Sequence, residues 1–590
     1  MEGPQADSRV FLPKPKSVDL IRSTVRLCRN VSATIDSRDA RVAAAWRRLA
    51  SELPVSGDGT SILRLIVHED PARTGNCDGY RISIRDNLVE ITGGSPAGCF
   101  YGLKTLGQLI DPGTGQLPCG EIVDEPDYRT RGLLHDVTRG KCPKIETLKL
   151  LADRLADLKV NQLQLYIEHA FVFSFDPDIC GPGEGLTPDE IGELDRYCRD
   201  RFIDLVPAVA TLGHMGRILS MPRYRHLAEI EATKAWEQMS WLERMRGFTL
   251  DVLNPASRDV VERIWSDVLD AFSSPIVNIC GDEPWDLGRG KNADRLDAET
   301  RGEAYVDYIA WTHGLCAKRG RRTQLWGDVV RNYPNLLHRL PKDLTVLHWG
   351  YDDRADYEDT HVFTEAGLDT CVCPGASGWK RIINAMDLAE RNIAAFAKAG
   401  KRHGASGLIN TDWGDFGHFN QLACSWHGIA LGAAYAWNVA EPGGSDFDEC
   451  FAATFLDAPG ELVDHLRAAS AIATSCDTWR LLAASDEELA REKKLPRPAD
   501  AEKAAEAAGR ARQILESKRP PDHVPAQDDR ELALACRFTE LFAQRVAGRH
   551  DRNWKDALRE AARCYSECWG ARNKPLRLAD VTAKLGRLAE

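Results

Sequence analysis

Short apolar runs alternate with amphipathic, helix-like segments over residues 128–444. Eight of these runs have the length and composition of buried strands: RGLLHDV (131–137), NQLQLYI (161–167), IDLVPAVA (203–210), PIVNIC (275–280), RTQLWGD (322–328), LTVLHWG (344–350), LDTCVCP (368–374) and ASGLINTDW (405–413). The segments between them carry apolar residues at helical spacing, so the pattern is one of strand–helix repeats. It predicts an α/β fold built on a (β/α)8 TIM barrel, with the chemistry in the loops that follow the strands.

The chain on either side of the barrel segment is patterned differently. Before it, strand-like runs lie at 62–69, 80–86 and 88–94, and a helix capped by Ser95 is predicted over 95–110. After Pro442-Gly443-Gly444, the chain is rich in Ala, Leu, Glu, Lys and Arg at helical spacing. We therefore predict three domains, a small α/β domain at 1–127, the barrel at 128–444 and a helical domain at 445–590.

Composition and charge exclude several classes of partner. The formal net charge of -12, with no basic stripe to offset it, argues against nucleic acid. No window has the ~18 uninterrupted apolar residues of a membrane helix. The first residues lack the apolar core of a signal peptide, and the 17 scattered cysteines suit reduced, buried thiols. We expect a cytoplasmic protein that uses neither a metal nor a cofactor.

The sharpest chemical signal is IVNICGDEPW (276–285), in which an apolar run stops at Gly281 and delivers Asp282 and Glu283. Neighbouring residues on a regular strand point to opposite faces, so two adjacent acids share a pocket only where the strand breaks. Trp285 adds an apolar surface of the kind on which sugars stack. The alternative at this point is an exposed turn with two solvated acids.

Further candidate residues follow or begin the other predicted strands. They are Arg131, His214, Trp326, Trp349, Trp379, Trp413 and Asp415. Each has an ordinary structural explanation, since a lone tryptophan is more often a packing residue and His214 suits a buried core position. Together, however, aromatic walls with scattered carboxylates and an arginine are typical of a site for a neutral sugar.

The chain resembles the β-N-acetylhexosaminidases of glycoside hydrolase family 20. The motifs that carry the resemblance are Arg131-Gly132 with Asp136 and Arg139, LKVNQLQL (158–165), Gly213-His214, Gly281-Asp282-Glu283, and the Trp-x-acid pairs at 326–328 and 413–415. Residues 80–110 also resemble the small zincin-like domain that precedes the barrel in that family and binds no zinc. The resemblance covers about three quarters of the chain, up to about residue 445.

The resemblance implies an exo-acting, retaining enzyme that releases terminal GlcNAc or GalNAc from a glycan by substrate-assisted catalysis. The substrate's acetamido oxygen would attack the anomeric carbon, Glu283 would act as acid and then base, and Asp282 would orient the acetamido group. Arg131 and Asp415 would bind hydroxyls of the terminal sugar, and His214 would support the pocket. Trp326, Trp349 and Trp413 would enclose the sugar and its acetamido methyl.

Two departures from the family pattern bear on specificity. At the seventh strand, Cys371-Val372-Cys373 stands where many members carry a Tyr-x-Asp pair, so Trp379 or Tyr351 would have to compensate. After the second strand, Glu168-His169 replaces an acid-rich loop. Two alternatives therefore stay open: a glycosidase of altered specificity, which would release a disaccharide or a modified hexosamine, and a catalytically silent carbohydrate-binding barrel.

Overall fold

The structure is a computed structural model that describes residues 11–55, 63–246, 248–440, 443–518 and 526–590. Residues 1–10, which bear on the expected absence of a signal peptide, together with Ile62 of the first predicted strand and Pro442, lie outside the described residues. Within the described ranges, no helix is both long and apolar enough to cross a membrane.

The amino-terminal region is a six-stranded mixed sheet with two helices. Its elements are β1 (Ser17–Arg26), β2 (Ser32–Asp36), α1 (Ala40–Glu52), β3 (Arg64–Glu69), β4 (Tyr80–Arg85), β5 (Leu88–Gly93), α2 (Pro96–Leu109) and β6 (Gln116–Asp124). The strand order is β1-β6-β4-β5-β3-β2. Ser95 caps α2 by accepting a hydrogen bond from the Gly98 amide, and Pro96 occupies its first turn, as the sequence predicts.

The middle region is a closed barrel of parallel strands. Its strands are β7 (Thr130–Asp136), β8 (Gln162–Ile167), β9 (Asp204–Val209), β10 (Ile276–Asn278), β11 (Arg322–Trp326), β12 (Thr345–Trp349), β13 (Asp369–Cys373) and β14 (Gly407–Asp412). The barrel closes through the pairing of β14 with β7, in which Gly407 lies opposite Thr130. The eight strands predicted from the apolar runs are confirmed, and so is the barrel.

Helices cover the outside of the barrel and occupy the loops above it. They are α3 (Ile145–Asp157), α4 (Pro188–Arg199), α5 (Gly216–Leu219), α6 (Trp241–Arg246), α7 (Pro255–Ala271), α8 (Ala298–Ala317), α9 (Asp328–Arg331), α10 (His361–Glu365), α11 (Met386–Arg402) and α12 (Leu422–Trp437). The long helices bury one apolar face against the strands, and α12 is buried along its whole length because further helices cover it.

The carboxy-terminal region is helical, as predicted. Its helices are α13 (Ser445–Phe451), α14 (Gly460–Ser470), α15 (Thr478–Leu482), α16 (Asp486–Arg491), α17 (Pro498–Ser517), α18 (Ala526–Val546), α19 (Arg552–Arg572) and α20 (Leu578–Ala589). They pack on α12 and on the loops above β7 and β14, where Tyr565 donates a hydrogen bond to the Phe419 carbonyl at 2.9 Å. One apolar core runs from the amino-terminal sheet through the barrel to these helices.

Several elements of the amino-terminal region escape the sequence-based prediction. Strands β1 and β2 are largely exposed on both faces, so their polar residues give no apolar run to detect. Strand β6 contains Pro118 and Gly120, which argue locally against a strand. All 17 cysteines are free thiols, and most are buried.

Candidate active site

The two adjacent acids lie where β10 ends after only three residues. Cys280, Gly281 and Glu283 have φ angles of 55°, 85° and 46°, so the chain turns sharply through left-handed conformations instead of continuing as a strand. Tyr305 donates a hydrogen bond to the Gly281 carbonyl at 2.9 Å and fixes this turn. Non-glycine residues adopt such conformations at a cost, which the surrounding contacts offset.

His214 holds the two carboxylates together from the loop after β9. Its Nε2 atom lies 3.3 Å from Asp282 Oδ2 and 3.4 Å from Glu283 Oε2, while Nδ1 lies 3.2 Å from the Met245 carbonyl oxygen. The side chain of Asp282 is mostly buried, whereas that of Glu283 is 32% exposed. Asp282 therefore faces the interior of the barrel mouth, and Glu283 reaches solvent.

Gly213 lets the His214 loop approach the acids. A Cβ atom at this position would lie 2.4 Å from the Asp282 carbonyl oxygen, which is far inside van der Waals contact. In the Gly213-His214 pair noted in the sequence, the glycine thus permits the close approach of the loop, and the histidine contacts the two acids.

The charges of this cluster are set by burial and by the neighbouring groups. Burial acts to lower the pKa of His214, but the Asp282 and Glu283 carboxylates outweigh it and raise that pKa to about 10. Burial acts to raise the pKa of Asp282, yet the positive charges of His214 and Arg139 bring it below its ordinary value. At neutral pH, His214 is therefore an imidazolium paired with an ionised Asp282.

A third acid, Asp328, completes the cluster from the end of β11. Its Oδ2 accepts a hydrogen bond from the Glu283 amide at 3.2 Å, and its Oδ1 accepts one from Trp349 Nε1 at 3.4 Å. Burial and the negative charge of Asp282 raise the pKa of Asp328 to about 7. The Trp-Gly-Asp pattern at 326–328 thus supplies both an aromatic wall and a positioning carboxyl group.

The four tryptophans predicted for the site lie in one aromatic cluster at the mouth of the barrel. The cluster contains Trp326, Trp349, Trp379 and Trp413, with Tyr351 and Tyr166. Trp326 and Trp413 have ring centroids 5.9 Å apart, and Tyr351 is stacked on Trp349 at 5.2 Å. The walls expected from the sequence are therefore brought together.

Tyr351 stands beside the seventh strand, where the sequence departs from the family pattern. Its ring contacts Trp379 edge-on, with centroids 4.9 Å apart, and its hydroxyl oxygen accepts a hydrogen bond from Trp413 Nε1 at 2.7 Å. Cys371 and Cys373 are buried in the same cluster as small apolar side chains. The structure thus places a phenol in this pocket although strand β13 itself contributes none.

The arginine of the pocket is Arg139, three residues beyond the end of β7. It donates hydrogen bonds to Glu168 Oε1 at 2.9 Å, to Asp415 Oδ1 at 2.7 Å and to the Tyr166 hydroxyl at 3.1 Å. Its guanidinium carbon also lies 4.9 Å from the centroid of Trp413. Asp415 is thus held in the pocket, and a planar cation lies between two aromatic side chains and two acids.

The prediction that Arg131 binds substrate is wrong. Arg131 lies at the start of β7, at the opposite end of the barrel from the acids, and is almost completely buried. Its guanidinium donates hydrogen bonds to the Lys159 carbonyl at 2.9 Å and to Asp78 Oδ2 at 2.9 Å, so it joins the barrel to the amino-terminal domain. Active sites of such barrels lie at the carboxyl ends of the strands, which favours Arg139, after the end of β7, over Arg131, at its start.

Of the further site residues, Tyr166 was not singled out from the sequence, and Glu168 and Asp328 were noted there within motifs but were given no role in the site. Glu168 and Tyr166 lie at the end of β8 and contact Arg139. Their position at the end of an apolar run was the sequence signal that could have identified them as site residues. Within the described residues, no group of three or more His, Cys, Asp and Glu side chains is arranged to hold a metal ion. The chemistry available to the site is that of its carboxyl, imidazole and phenol groups.

Sequence comparison gives two matches to one enzyme family. Residues 9–125 match domain 2 of glycosyl hydrolase family 20, and residues 179–393 match the catalytic domain of the same family. Together, these matches span more than half of the chain.

Two curated relatives match part of the chain. A beta-hexosaminidase of Akkermansia muciniphila is 29% identical over 292 residues, which are 44% of this chain and 57% of that protein. A lacto-N-biosidase of Bifidobacterium bifidum is 22% identical over 343 residues, 53% of this chain and 28% of that protein. The chain therefore matches about half or less of the length of these relatives.

The fold has a close parallel among solved structures. The chitobiase of Flavobacterium johnsoniae superposes with a TM-score of 0.61 at 15% identity, over 98% of this chain and 99% of that protein. This likeness extends through the carboxy-terminal helices. From the two domain matches, and with the barrel and its paired acids in place, the chain belongs to glycoside hydrolase family 20.

Proposed function

We propose that this protein is an exo-acting, retaining β-N-acetylhexosaminidase that releases terminal β-linked GlcNAc or GalNAc from a glycan. The observation that carries the proposal is the pair Asp282 and Glu283, both within 3.4 Å of one imidazole nitrogen of His214. The pair lies at the mouth of the barrel, in a pocket whose walls are tryptophan side chains. Two acids that differ in solvent exposure and face an aromatic pocket suit a reaction in which each acid has a different catalytic role.

In the first step, the acetamido oxygen of the bound sugar attacks its own anomeric carbon. The bond from that carbon to the leaving oxygen breaks, and Glu283 donates its proton to that oxygen. Asp282, ionised and paired with His214, accepts a hydrogen bond from the acetamido N–H and offsets the positive charge that develops there. The product of this step is a cyclic oxazolinium intermediate.

In the second step, water opens the intermediate. The Glu283 carboxylate takes a proton from the water as its oxygen bonds to the anomeric carbon, and the acetamido group is restored. Two displacements at one carbon retain the β configuration. Because Glu283 is the more exposed acid, it is the one that water and a leaving group can reach.

The rest of the pocket suits an N-acetylated sugar. Trp326, Trp349 and Trp413 offer apolar faces to the sugar ring and the acetamido methyl. The Tyr351 oxygen accepts the Trp413 N–H at 2.7 Å, which leaves the phenol proton to be donated to the acetamido oxygen. Arg139 and Asp415, bonded to each other at 2.7 Å, would bind hydroxyls at the far edge of the sugar.

The geometry beyond Arg139 favours release of a single sugar. The space there is lined by His169, Trp236, Trp241, Phe416 and Arg577 and amounts to about 30 Å³. That leaves room for only a few water molecules and is too small for a second sugar ring. It argues against a disaccharide-releasing activity of the kind that the name of the Bifidobacterium relative describes.

A silent carbohydrate-binding barrel is the alternative from a different class. A binding site has no need of a proton donor at the leaving oxygen, whereas Glu283 is held by a strained turn and an imidazolium. Burying such a cluster of charged groups costs free energy, and the proposed catalysis gives a reason for the protein to retain these groups.

The test is hydrolysis of p-nitrophenyl β-GlcNAc and β-GalNAc by the wild type, by Glu283→Gln and by Glu299→Gln, an exposed control on α8. We expect the wild type and the control to hydrolyse at least one substrate at equal rates. Glu283→Gln should lose about a hundredfold or more, because general acid–base catalysis contributes about that much. Undiminished turnover by Glu283→Gln would refute the assigned role, and no turnover by the wild type would refute the proposed function.

A further inference from the structure

A groove leads away from Glu283 on the solvent side of the acids. It has a volume of about 290 Å³, and its lining includes Glu283, Trp285, Arg289, Arg301, Asp328 and Trp349. Since Glu283 protonates the leaving oxygen, the group attached to that oxygen has to lie on this side. Under the proposed function, the groove is therefore the place for the leaving-group sugar.

Two arginines of this groove form no close ion pair, although Asp286 and Asp297 lie near enough to interact with the charges of Arg289 and Arg301 respectively. Within the described ranges, no carboxylate oxygen lies within 4 Å of a side-chain nitrogen of Arg289 or Arg301, although most arginines of the chain are paired in this way. The Nε atom of Arg301 is buried and has no hydrogen-bond partner, and its NH2 reaches only the Gly288 carbonyl oxygen at 3.4 Å. The third arginine, Arg331, is bound to Asp359 at 2.9 Å.

The acids of the groove are engaged elsewhere. Glu283 contacts His214 at 3.4 Å, and Asp328 accepts hydrogen bonds from the Glu283 amide and from Trp349. The pKa of Asp328, raised to about 7 by burial and by Asp282, leaves it only partly charged at neutral pH. The groove therefore offers two guanidinium groups without a carboxylate in direct contact, in a protein whose net charge is -12.

Trp285 gives the same groove an aromatic surface. It is 45% exposed, which is unusual for the largest apolar side chain, and it belongs to the turn that carries Glu283. An exposed indole next to guanidinium groups without a carboxylate in direct contact is a suitable surface for a sugar ring that bears an anionic group.

We propose that this groove binds an anionic leaving-group sugar, with its ring on Trp285 and its carboxylate or sulfate group on Arg289 and Arg301. The inference rests on the proposed hexosaminidase activity and adds to it the chemical class of the sugar that is cut off. Bidentate guanidinium–oxyanion pairing would supply the selectivity.

The experiment compares four substrates that carry the same terminal β-GlcNAc. Three are 1,4-linked disaccharides that end in glucose, glucuronic acid or glucose 6-sulfate, and the fourth is the p-nitrophenyl glycoside. We expect kcat/KM for at least one of the acidic disaccharides to exceed that for the glucose disaccharide by about tenfold, and added salt to reduce the preference because the groove is open. The better of the two acids identifies the oxyanion.

Variants then assign the preference to the two arginines. Arg289→Gln and Arg301→Gln should each bring the acidic-to-neutral ratio of kcat/KM close to one, with each rate measured relative to the same variant's p-nitrophenyl rate. Arg295→Gln, an exposed arginine of the same segment outside the groove, should keep the wild-type ratio.

The results separate the two proposals. If the wild type hydrolyses the p-nitrophenyl glycoside but treats acidic and neutral disaccharides alike, the inference fails and the hexosaminidase function stands. A preference that survives in both arginine variants also overturns the inference. If no substrate is hydrolysed, the proposed function fails, and the inference fails with it.

Discussion

At the residue scale, His214 is the group that affects the charges of the two site acids, Asp282 and Glu283, to different extents. It contacts both carboxylates, but the mostly buried Asp282 has little access to water to stabilise its charge, so it depends more on the imidazolium. Glu283 is partly hydrated and turns towards the groove. A single cation thus stabilises the negative charge of Asp282, while Glu283 keeps its contact with solvent.

This arrangement predicts a pH-dependent contribution of His214 to stability. Its pKa is raised from 6.5 to about 10 by Asp282 and Glu283, against burial, so protonation favours the folded state. The stabilisation is complete below about pH 6.5 and is lost as the pH rises through about 10. Urea unfolding at pH 6, 8 and 10 should show a difference in free energy between wild type and His214→Gln that shrinks with pH. A constant difference would contradict the ion pairing.

Tyr351 carries the second prediction at this scale. Tyr351→Phe should lower kcat/KM on p-nitrophenyl β-GlcNAc by about tenfold or more, because the acetamido oxygen loses its donor. A thiazoline analogue of the cyclic intermediate should lose affinity by a similar factor. Tyr357→Phe, in the same loop but with its hydroxyl on the Asp352 carbonyl at 2.8 Å, is the control and should keep both values. Equal behaviour of the two variants would remove Tyr351 from the mechanism.

Individual site residues were predictable from the sequence only where a strand end marked them. Asp282, Glu283, His214, the four tryptophans and Asp415 all follow strands and gather at one end of the barrel. Arg131 and Arg139 flank the same strand, and composition cannot choose between them. The choice between the two arginines depends on which end of β7 faces the site. The end that faces the site is the one where Arg139 donates a hydrogen bond to Asp415.

At the element scale, the short strand β10 is what brings the acids into one pocket. A strand that continued through Asp282 and Glu283 would send their side chains to opposite faces. The left-handed turn at 280–283 prevents this, and the close approach of Gly213 holds the turn from the neighbouring loop. Catalytic geometry here depends on backbone packing between two loops.

Gly213→Ala should therefore disable the site. Its new Cβ atom would lie 2.4 Å from the Asp282 carbonyl oxygen, and relief requires a shift of the turn. We expect a destabilisation of about 1–3 kcal/mol and a loss of activity of about a hundredfold, because small displacements of catalytic groups are costly.

The control for this prediction is Gly314→Ala in helix α8. Nothing lies within 4 Å of a Cβ atom built at Gly314, so the change should stabilise the protein by about 0.5–1 kcal/mol and leave turnover unchanged. The measurements are thermal unfolding and p-nitrophenyl hydrolysis of both variants. Normal activity of Gly213→Ala would show that the approach of the two loops is not required.

The barrel strands were predictable because burial on both faces makes them mostly apolar, whereas the outer strands of the small domain were not. Strands β1 and β2 are exposed, and only their pairing with buried neighbours defines them. Contacts between distant segments were also beyond prediction. Arg577, for example, lines the closed end of the pocket together with Trp236 and Trp241, yet it lies far from both in the sequence.

At the scale of the whole molecule, the carboxy-terminal helices are fastened to the barrel by a buried ion cluster. Arg572 donates a hydrogen bond to Glu531 at 2.6 Å and another to Asp528. These two acids in turn accept the Ala423 amide at 3.0 Å and the Trp426 indole N–H at 3.2 Å from helix α12. Helix α20 then reaches the loops above the site, where Arg244 binds Asp580 at 2.5 Å.

The cluster predicts that the two regions unfold together. Arg572→Met would leave two carboxylates buried without their cation, and we expect a destabilisation of about 3–5 kcal/mol in a single transition. Arg563→Met, on the same helix but exposed and paired only with Glu560 and Glu567, should cost less than about 1 kcal/mol. If the two variants lost the same small amount, or if the helices of the Arg572 variant melted separately, the coupling would be refuted.

The central claim, that the substrate's own acetamido group is the nucleophile, is tested most directly by weakening that group. The measurement is kcat/KM of the wild type on p-nitrophenyl β-glucosaminides that carry acetyl, fluoroacetyl, difluoroacetyl and trifluoroacetyl groups. Each fluorine withdraws electrons from the attacking oxygen and adds little volume in the tryptophan pocket. We predict that kcat/KM falls steadily along the series, and a rate independent of fluorination would contradict the account.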